Sequence, residues 1–323
     1  MKLQAFSRKE LGYLGKKLVY RLTWRDLLAR RKIAPGWAFV PESGADGTPE
    51  LRPPIVFALS NRNYFHLGDA FFVLPLVRGL IESFGRDQVL VCTSPACSEI
   101  FELYGVRCVG DVLSPVPATI ITFCEILFED LSRIDVRKFV YANIDKGINM
   151  PVADWHARVF ETQFGVRRSP FPQIDMNEAD AIAATRGLKQ KTVVVNDVVW
   201  SGKFRLRRGH AIRLQKKIDE LAADGHVFCR LGAAGEPSQI VLPQDKTIDL
   251  RGAISIADVV RIFHSDKVVA SVSYDNFFMH CALWAKKQAF VLCRERPVST
   301  RPYMQSYIYR ASAEVSPAQL HYL

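Results

Sequence analysis

The sequence predicts an α/β protein built from two doubly wound parallel sheets that face a central cleft. Three observations carry that reading. The chain has 323 residues, more than one compact core of roughly 250–300 residues holds, so two domains are expected. Hydrophobic residues make up 49% and charged residues 24%, which is enough apolar material for buried sheets and unlike a disordered chain. Short apolar runs alternate with longer helical patterns along the whole length, as parallel strands joined by crossover helices do.

The first run, Ile55-Val56-Phe57-Ala58-Leu59-Ser60, follows a linker rich in glycine, proline and acidic residues and reads as a buried strand. A polar loop over 61–68 then leads to a helix expected at 69–84. Further strands are expected at 88–93, 119–123 and 139–143, and a helix at 152–164. Ser169-Pro170-Phe171-Pro172 interrupts regular structure and marks the interdomain link. A second alternation follows, with strands at 192–196, 226–231, 268–272 and 289–293 and helices at 209–223, 255–264 and 277–285. The expected organisation is therefore a basic segment and linker over 1–53, a first domain over 54–170 and a second over 171–323.

Charge is concentrated at one end. The formal net charge is +10, and residues 1–33 hold ten lysines and arginines against Glu10 and Asp26, which is +8 of it. In the same stretch Leu11, Leu14, Leu18 and Leu22 fall at helical spacing, with Tyr13, Tyr20 and Trp24 among them. Such a segment suits either an anionic membrane surface or a solvated helix packed on the first domain. No recognised nucleic-acid motif accompanies the charge, so a nucleic acid is not expected as partner. The seven cysteines are scattered through apolar stretches without CxxC spacing, which points to reduced core residues rather than to zinc or disulfides. No apolar run approaches the roughly 18 residues of a membrane span, and the expected location is the cytoplasm, at most on the inner face of the cytoplasmic membrane.

Two strand-to-helix turns carry chemistry. His66-Leu67-Gly68-Asp69 lies between the first strand and its helix; glycine allows a close backbone approach, and Asp69 is either the helix cap or a catalyst. Pro75, inside the same helix, is expected to kink it or end its first turn. The segment from Ser271 to His280 repeats the arrangement in the second domain, where free N–H groups at a helix start suit phosphate. On the residues alone, Asp275 or Asn276 is a cap and His280 a satisfied core residue, or all three meet a ligand. Ile248-Asp249-Leu250-Arg251-Gly252 leads through Ala253 and Ile254 to Ser255, a further cap position.

Taken in order, His66-Leu67-Gly68-Asp69 with the helix on to Leu74-Pro75, Asp249-Leu250-Arg251-Gly252 followed by Ser255-Ile256-Ala257-Asp258, and Asp275 to Ala282 resemble the three signature segments of glycosyltransferase family 9, the ADP-heptose:lipopolysaccharide heptosyltransferases. The resemblance covers residues 54–296. It implies the GT-B fold and an inverting, metal-independent transfer of a sugar from a nucleotide-sugar donor to a glycolipid or glycan acceptor, with no cofactor. It implies that Asp69 is the general base, that Asp275, Asn276 and His280 meet the donor's phosphates, that Glu236 holds the ribose, and that Lys203 neutralises the phosphates. Arg205, Arg207 and Arg208 would share that task, unless they form a solvated basic loop. Arg62, His66 and Gly68 would meet phosphate or acceptor. The sequence departs from the family at Phe277, where a glycine is usual, and at Phe204-Arg205-Leu206, where Lys-x-Trp-Pro would continue. Phe277 leaves a second reading open, a GT-B scaffold that binds a nucleotide or glycan without turnover.

Overall fold

The computed structural model describes residues 51–59, 67–109, 119–122, 134–135, 154, 157, 161, 164–197, 208–236, 238, 240–274, 276–292 and 315–323. The basic segment at 1–33, the strand expected at 139–143, and Arg62, His66, Lys203, Arg205, Arg207 and Asp275 lie outside them.

The first sheet consists of β1 (Ile55–Ala58), β2 (Val89–Cys92), β3 (Cys108–Val109), β4 (Thr119–Thr122) and β5 (Ile134–Asp135) in the order β3-β2-β1-β4-β5. All its pairs are parallel. A parallel sheet needs both faces covered, and its central strands β1 and β2 are accordingly apolar throughout; Val89, Leu90 and Val91 are fully buried. Helix α1 (Leu67–Phe84) follows β1, and α2 (Pro95–Leu103) follows β2. From Ala70 to Val77 every residue of α1 is buried, as expected of a helix that is apolar all round. It runs on through Pro75, so the proline does not end its first turn. The Pro75 carbonyl accepts a hydrogen bond from the Ser169 N–H at 3.0 Å.

The second sheet consists of β6 (Thr192–Asn196), β7 (Val227–Arg230), β8 (Thr247–Asp249), β9 (Val268–Tyr274), β10 (Gln288–Leu292) and β11 (Leu320–Tyr322), in the order β11-β10-β9-β6-β7-β8. It too is parallel throughout. Its helices are α3 (Met176–Thr185), α4 (Arg208–Ala223), α5 (Ile256–His264) and α6 (Phe277–Trp284). Val193 and Val195 of β6 and Ala270, Val272 and Tyr274 of β9 pack against Leu214, Ile218 and Leu221 of α4. On α3, Asp175 is the cap and accepts from the Asn177 N–H at 2.7 Å. Ser255 caps α5 by accepting from the Asp258 N–H at 3.0 Å, as its position in the sequence suggests. The four described residues of the helix expected at 152–164, Asp154, Ala157, Glu161 and Phe164, are helical.

These residues divide into two compact units. The first holds β1 to β5 and the part of α1 from Leu76; the second holds the start of α1, from Leu67 to Pro75, and what is described from Ser169 onward. Among the described residues no helix is long and apolar enough to cross a membrane.

Candidate functional site

In the second sheet the chain moves outward from β6 to β7 and β8, then returns to the other side of β6 with β9. The direction of winding therefore reverses between β6 and β9, and in such sheets ligands bind beyond the carboxyl ends of the strands at that point. Asn196 ends β6, Arg230 ends β7 with Leu231 directly after it, and Tyr274 ends β9 just before α6.

Three hydrogen bonds join these ends. Asn276 Nδ2 donates to Asn196 Oδ1 at 2.8 Å. Asn196 Nδ2 donates to the Leu231 carbonyl at 2.9 Å. Asn276 Oδ1 accepts from the Phe278 N–H at 3.0 Å, which makes Asn276 the cap of α6. Of the two capping candidates in the sequence it is thus Asn276 that caps, and its amide holds the helix start to the end of β6.

Glu236 sits in the loop after β7, at the position the resemblance gives to the ribose-holding acid. Its Oε2 accepts from the Ala233 N–H at 2.8 Å. The loop is fixed on both sides of it. Asp197, the residue after β6, accepts from Ser238 Oγ at 2.6 Å and from the Ile240 N–H at 3.3 Å. Arg251 Nη1 donates to the Glu236 carbonyl, while its Nε and Nη2 hold the Asp249 carboxylate. That pairing, and the hydrogen bond from Arg251 first of all, lowers the Asp249 carboxyl from its ordinary value. Gly232 has φ +152°, and a Cβ there would lie 2.3 Å from Glu236 Oε2 and 3.2 Å from Asn196 Nδ2. A side chain at 232 would therefore displace both.

Asp69 lies in the first turn of α1 and is buried. Helix α1 begins at Leu67, so Asp69 is inside the helix rather than its cap, near the end that favours negative charge. Gly68 packs directly on His280: a Cβ there would be 2.9 Å from the imidazole Cδ2. The His280 ring also meets Phe72 edge-on at 5.1 Å and stacks with Phe71 at 6.3 Å. The structure thus brings Gly68, Asp69 and His280 into one unit, together with Glu236 and Asn276.

His280 is not a satisfied core residue. Its Nδ1 is buried without a hydrogen-bond partner, and burial lowers its pKa to about 4, so the ring is neutral near pH 7. Phe277, the first residue of α6, is buried with its ring 5.9 Å from Phe71 and 5.4 Å from Phe278. The cluster continues through Phe171, 5.7 Å from Phe71 and stacked on Trp284 at 4.1 Å. The side chain that stands where glycine is usual therefore fills an aromatic core.

Sequence reasoning singled out neither Asn196 nor Asp197. The signal was a polar pair directly after Val193-Val194-Val195, at the carboxyl end of an expected strand. It also missed the clamp formed by Asp249 and Arg251, whose acid and base stand two residues apart.

Among solved structures, the chain is similar to the glycosyl transferase family 9 protein from Veillonella parvula DSM 2008, with a TM-score of 0.53 over 80% of this chain and 84% of that one, at 13% identity. The chain has the fold of a family 9 glycosyltransferase. It is also similar to E. coli heptosyltransferase WaaC with ADP-2-deoxy-2-fluoro heptose, at 10% identity, 76% and 91% coverage and a TM-score of 0.48. For E. coli ADP-heptose lps heptosyltransferase II the identity is 14%, the coverage 83% and 92%, and the TM-score 0.44. No protein-family model and no curated protein matches the sequence. The family 9 fold agrees with the GT-B architecture that the sequence resemblance implies.

Proposed function

We propose that this protein is a glycosyltransferase that moves a sugar from a nucleotide-sugar donor to a glycan or glycolipid acceptor, with inversion and without a metal or cofactor. The observation that carries the reading is the junction of Asn196, Asn276 and the Glu236 loop at the point where the second sheet reverses its winding. A nucleotide laid across that point would have its ribose at Glu236 and its diphosphate at the start of α6, where helix N–H groups favour anions. The family 9 fold supports the same class of reaction.

In this mechanism Asp69 takes the proton of the acceptor hydroxyl as that oxygen bonds to the anomeric carbon. The bond from the anomeric carbon to the phosphate oxygen breaks with its electron pair going to the diphosphate. The leaving charge is met by the α6 terminus and by Lys203. Neutral His280, packed on Gly68, adds no competing positive charge beside the base. The basic segment at 1–33 would hold the enzyme to the inner face of the cytoplasmic membrane, close to a lipid-linked acceptor.

A second reading is favoured by Phe277, whose Cβ and ring occupy the place of the family's glycine. Under it the scaffold binds nucleotide or glycan without turnover. A panel of nucleotide sugars separates the two. Thermal stabilisation by one donor, with release of its nucleoside diphosphate when glycan acceptors are added, supports transfer. Stabilisation without release supports binding alone, and a panel with no effect on melting removes both.

A further inference from the structure

Asn196 is 4% exposed and its carboxamide is used at both ends. The Nδ2 end holds the Leu231 carbonyl, where the Glu236 loop begins; the Oδ1 end receives Asn276, which caps α6. A continuous chain of hydrogen bonds therefore runs from the loop after β7, through the end of β6, to the first turn of α6. Every member is in the second unit. Among the described residues, no other side-chain hydrogen bond ties Asn276 to the sheet. We propose that Asn196 is a positioning residue that couples the nucleoside end of the donor site to its phosphate end, so that the two subsites are set as one.

This rests on the donor-site reading above, and its chemistry is specific. An asparagine carries a donor and an acceptor on separate atoms of one planar group, so it serves a carbonyl on one side and an amide N–H on the other together. Asn276→Ala removes the bond to the α6 cap and keeps the one to Leu231, whereas Asn196→Ala loses both. The two substitutions therefore dissect the coupling. Asp197 serves the other end of the loop, where it accepts from Ser238 and from the Ile240 N–H.

The test titrates the full chain with ADP and UDP, then with the nucleoside of the tighter binder and with inorganic pyrophosphate, by calorimetry or ligand-observed NMR. Asn196→Ala is expected to weaken nucleoside and pyrophosphate alike, each by about two- to tenfold, the range of a net hydrogen bond. Asn276→Ala, which keeps the Asn196 bond to Leu231, is expected to weaken pyrophosphate while leaving the nucleoside near the parent value. Glu236→Ala should affect the nucleoside alone. A merely structural role would weaken both probes in both variants in proportion to lost stability, and that pattern overturns the proposal. So does an Asn196→Ala protein that binds both probes as the parent does. A parent that binds neither diphosphate overturns the donor-site reading itself, and the coupling with it.

Discussion

The Gly68 backbone lies against the imidazole of His280, so that a methyl group added at Gly68 would sit 2.9 Å from Cδ2 and 3.3 Å from Nε2. The ring cannot swing away, since Phe71 and Phe72 pack on it. Gly68→Ala should therefore cost about 1–3 kcal/mol, the usual range for overpacking, and should shift the turn that carries Asp69. Urea unfolding together with a transfer assay reads both effects. Unchanged stability and unchanged turnover would mean that this contact relaxes freely.

Asp69→Asn keeps the shape of the first turn of α1 and removes the base. Folding and donor affinity should stay at the parent level while turnover falls by roughly 10²–10⁴-fold. Transfer at the parent rate would take Asp69 out of the mechanism.

Two buried histidines make stability depend on pH. Burial lowers His280 to about 4, and burial followed by the charge of Lys287 lowers His264 to about 4. Both values lie below the ordinary 6.5, so the unfolded chain binds more protons between those limits. The contribution is thus complete above about pH 6.5 and is lost as pH falls towards 4, on the order of 3 kcal/mol for each. Urea midpoints should drop clearly from pH 7 to pH 5, and His264→Leu should flatten part of that slope. Equal midpoints at the two pH values would contradict this.

Residues 1–33 hold +8 of the +10 charge. If they dock the enzyme on an anionic leaflet, removing them should abolish cosedimentation with anionic vesicles and leave transfer to a soluble acceptor analogue nearly unchanged. Binding of the intact protein should fade as salt rises, because exposed charges are screened beyond about 8 Å at physiological ionic strength. A truncated protein that melts earlier, from a parent that ignores vesicles at low salt, would instead mean that the segment packs on the protein.

Much of the fold was legible because the central strands are apolar runs long enough to read. The runs at Ile55 and Thr192 became β1 and β6, and the one at Val268 became β9, which continues to Tyr274. Strands β3, β5, β8 and β11 have two or three residues each, too few for any periodicity. Helix α3 lay hidden behind the prolines of the expected link, although Asp175 and Glu178 have the spacing of a helix start. At the site, glycine, aspartate and histidine at strand-to-helix turns were visible as types. Their partners were not. Asn196 and Asn276 stand 80 residues apart, and no local pattern marks a contact that only the return of β9 beside β6 creates. The packing of His280 on Gly68 is equally remote, as is the aromatic core that receives Phe277.

The loop around Glu236 is held at its start by Asn196, at its middle by Arg251 and at its end by Asp197. Such a loop is a mould rather than a hinge, and under the donor-site reading that governs how its preference for a nucleotide would evolve or be redesigned. Ala233 is exposed and meets the frame through its N–H, so its side chain can be exchanged without loosening anything. Gly232 and Gly252 leave no such freedom: a Cβ on Gly252 would fall 2.6 Å from that of Ala234. New specificity here comes from redecorating a fixed surface, one side chain at a time, and grafting a loop of another length would discard the frame along with the old preference.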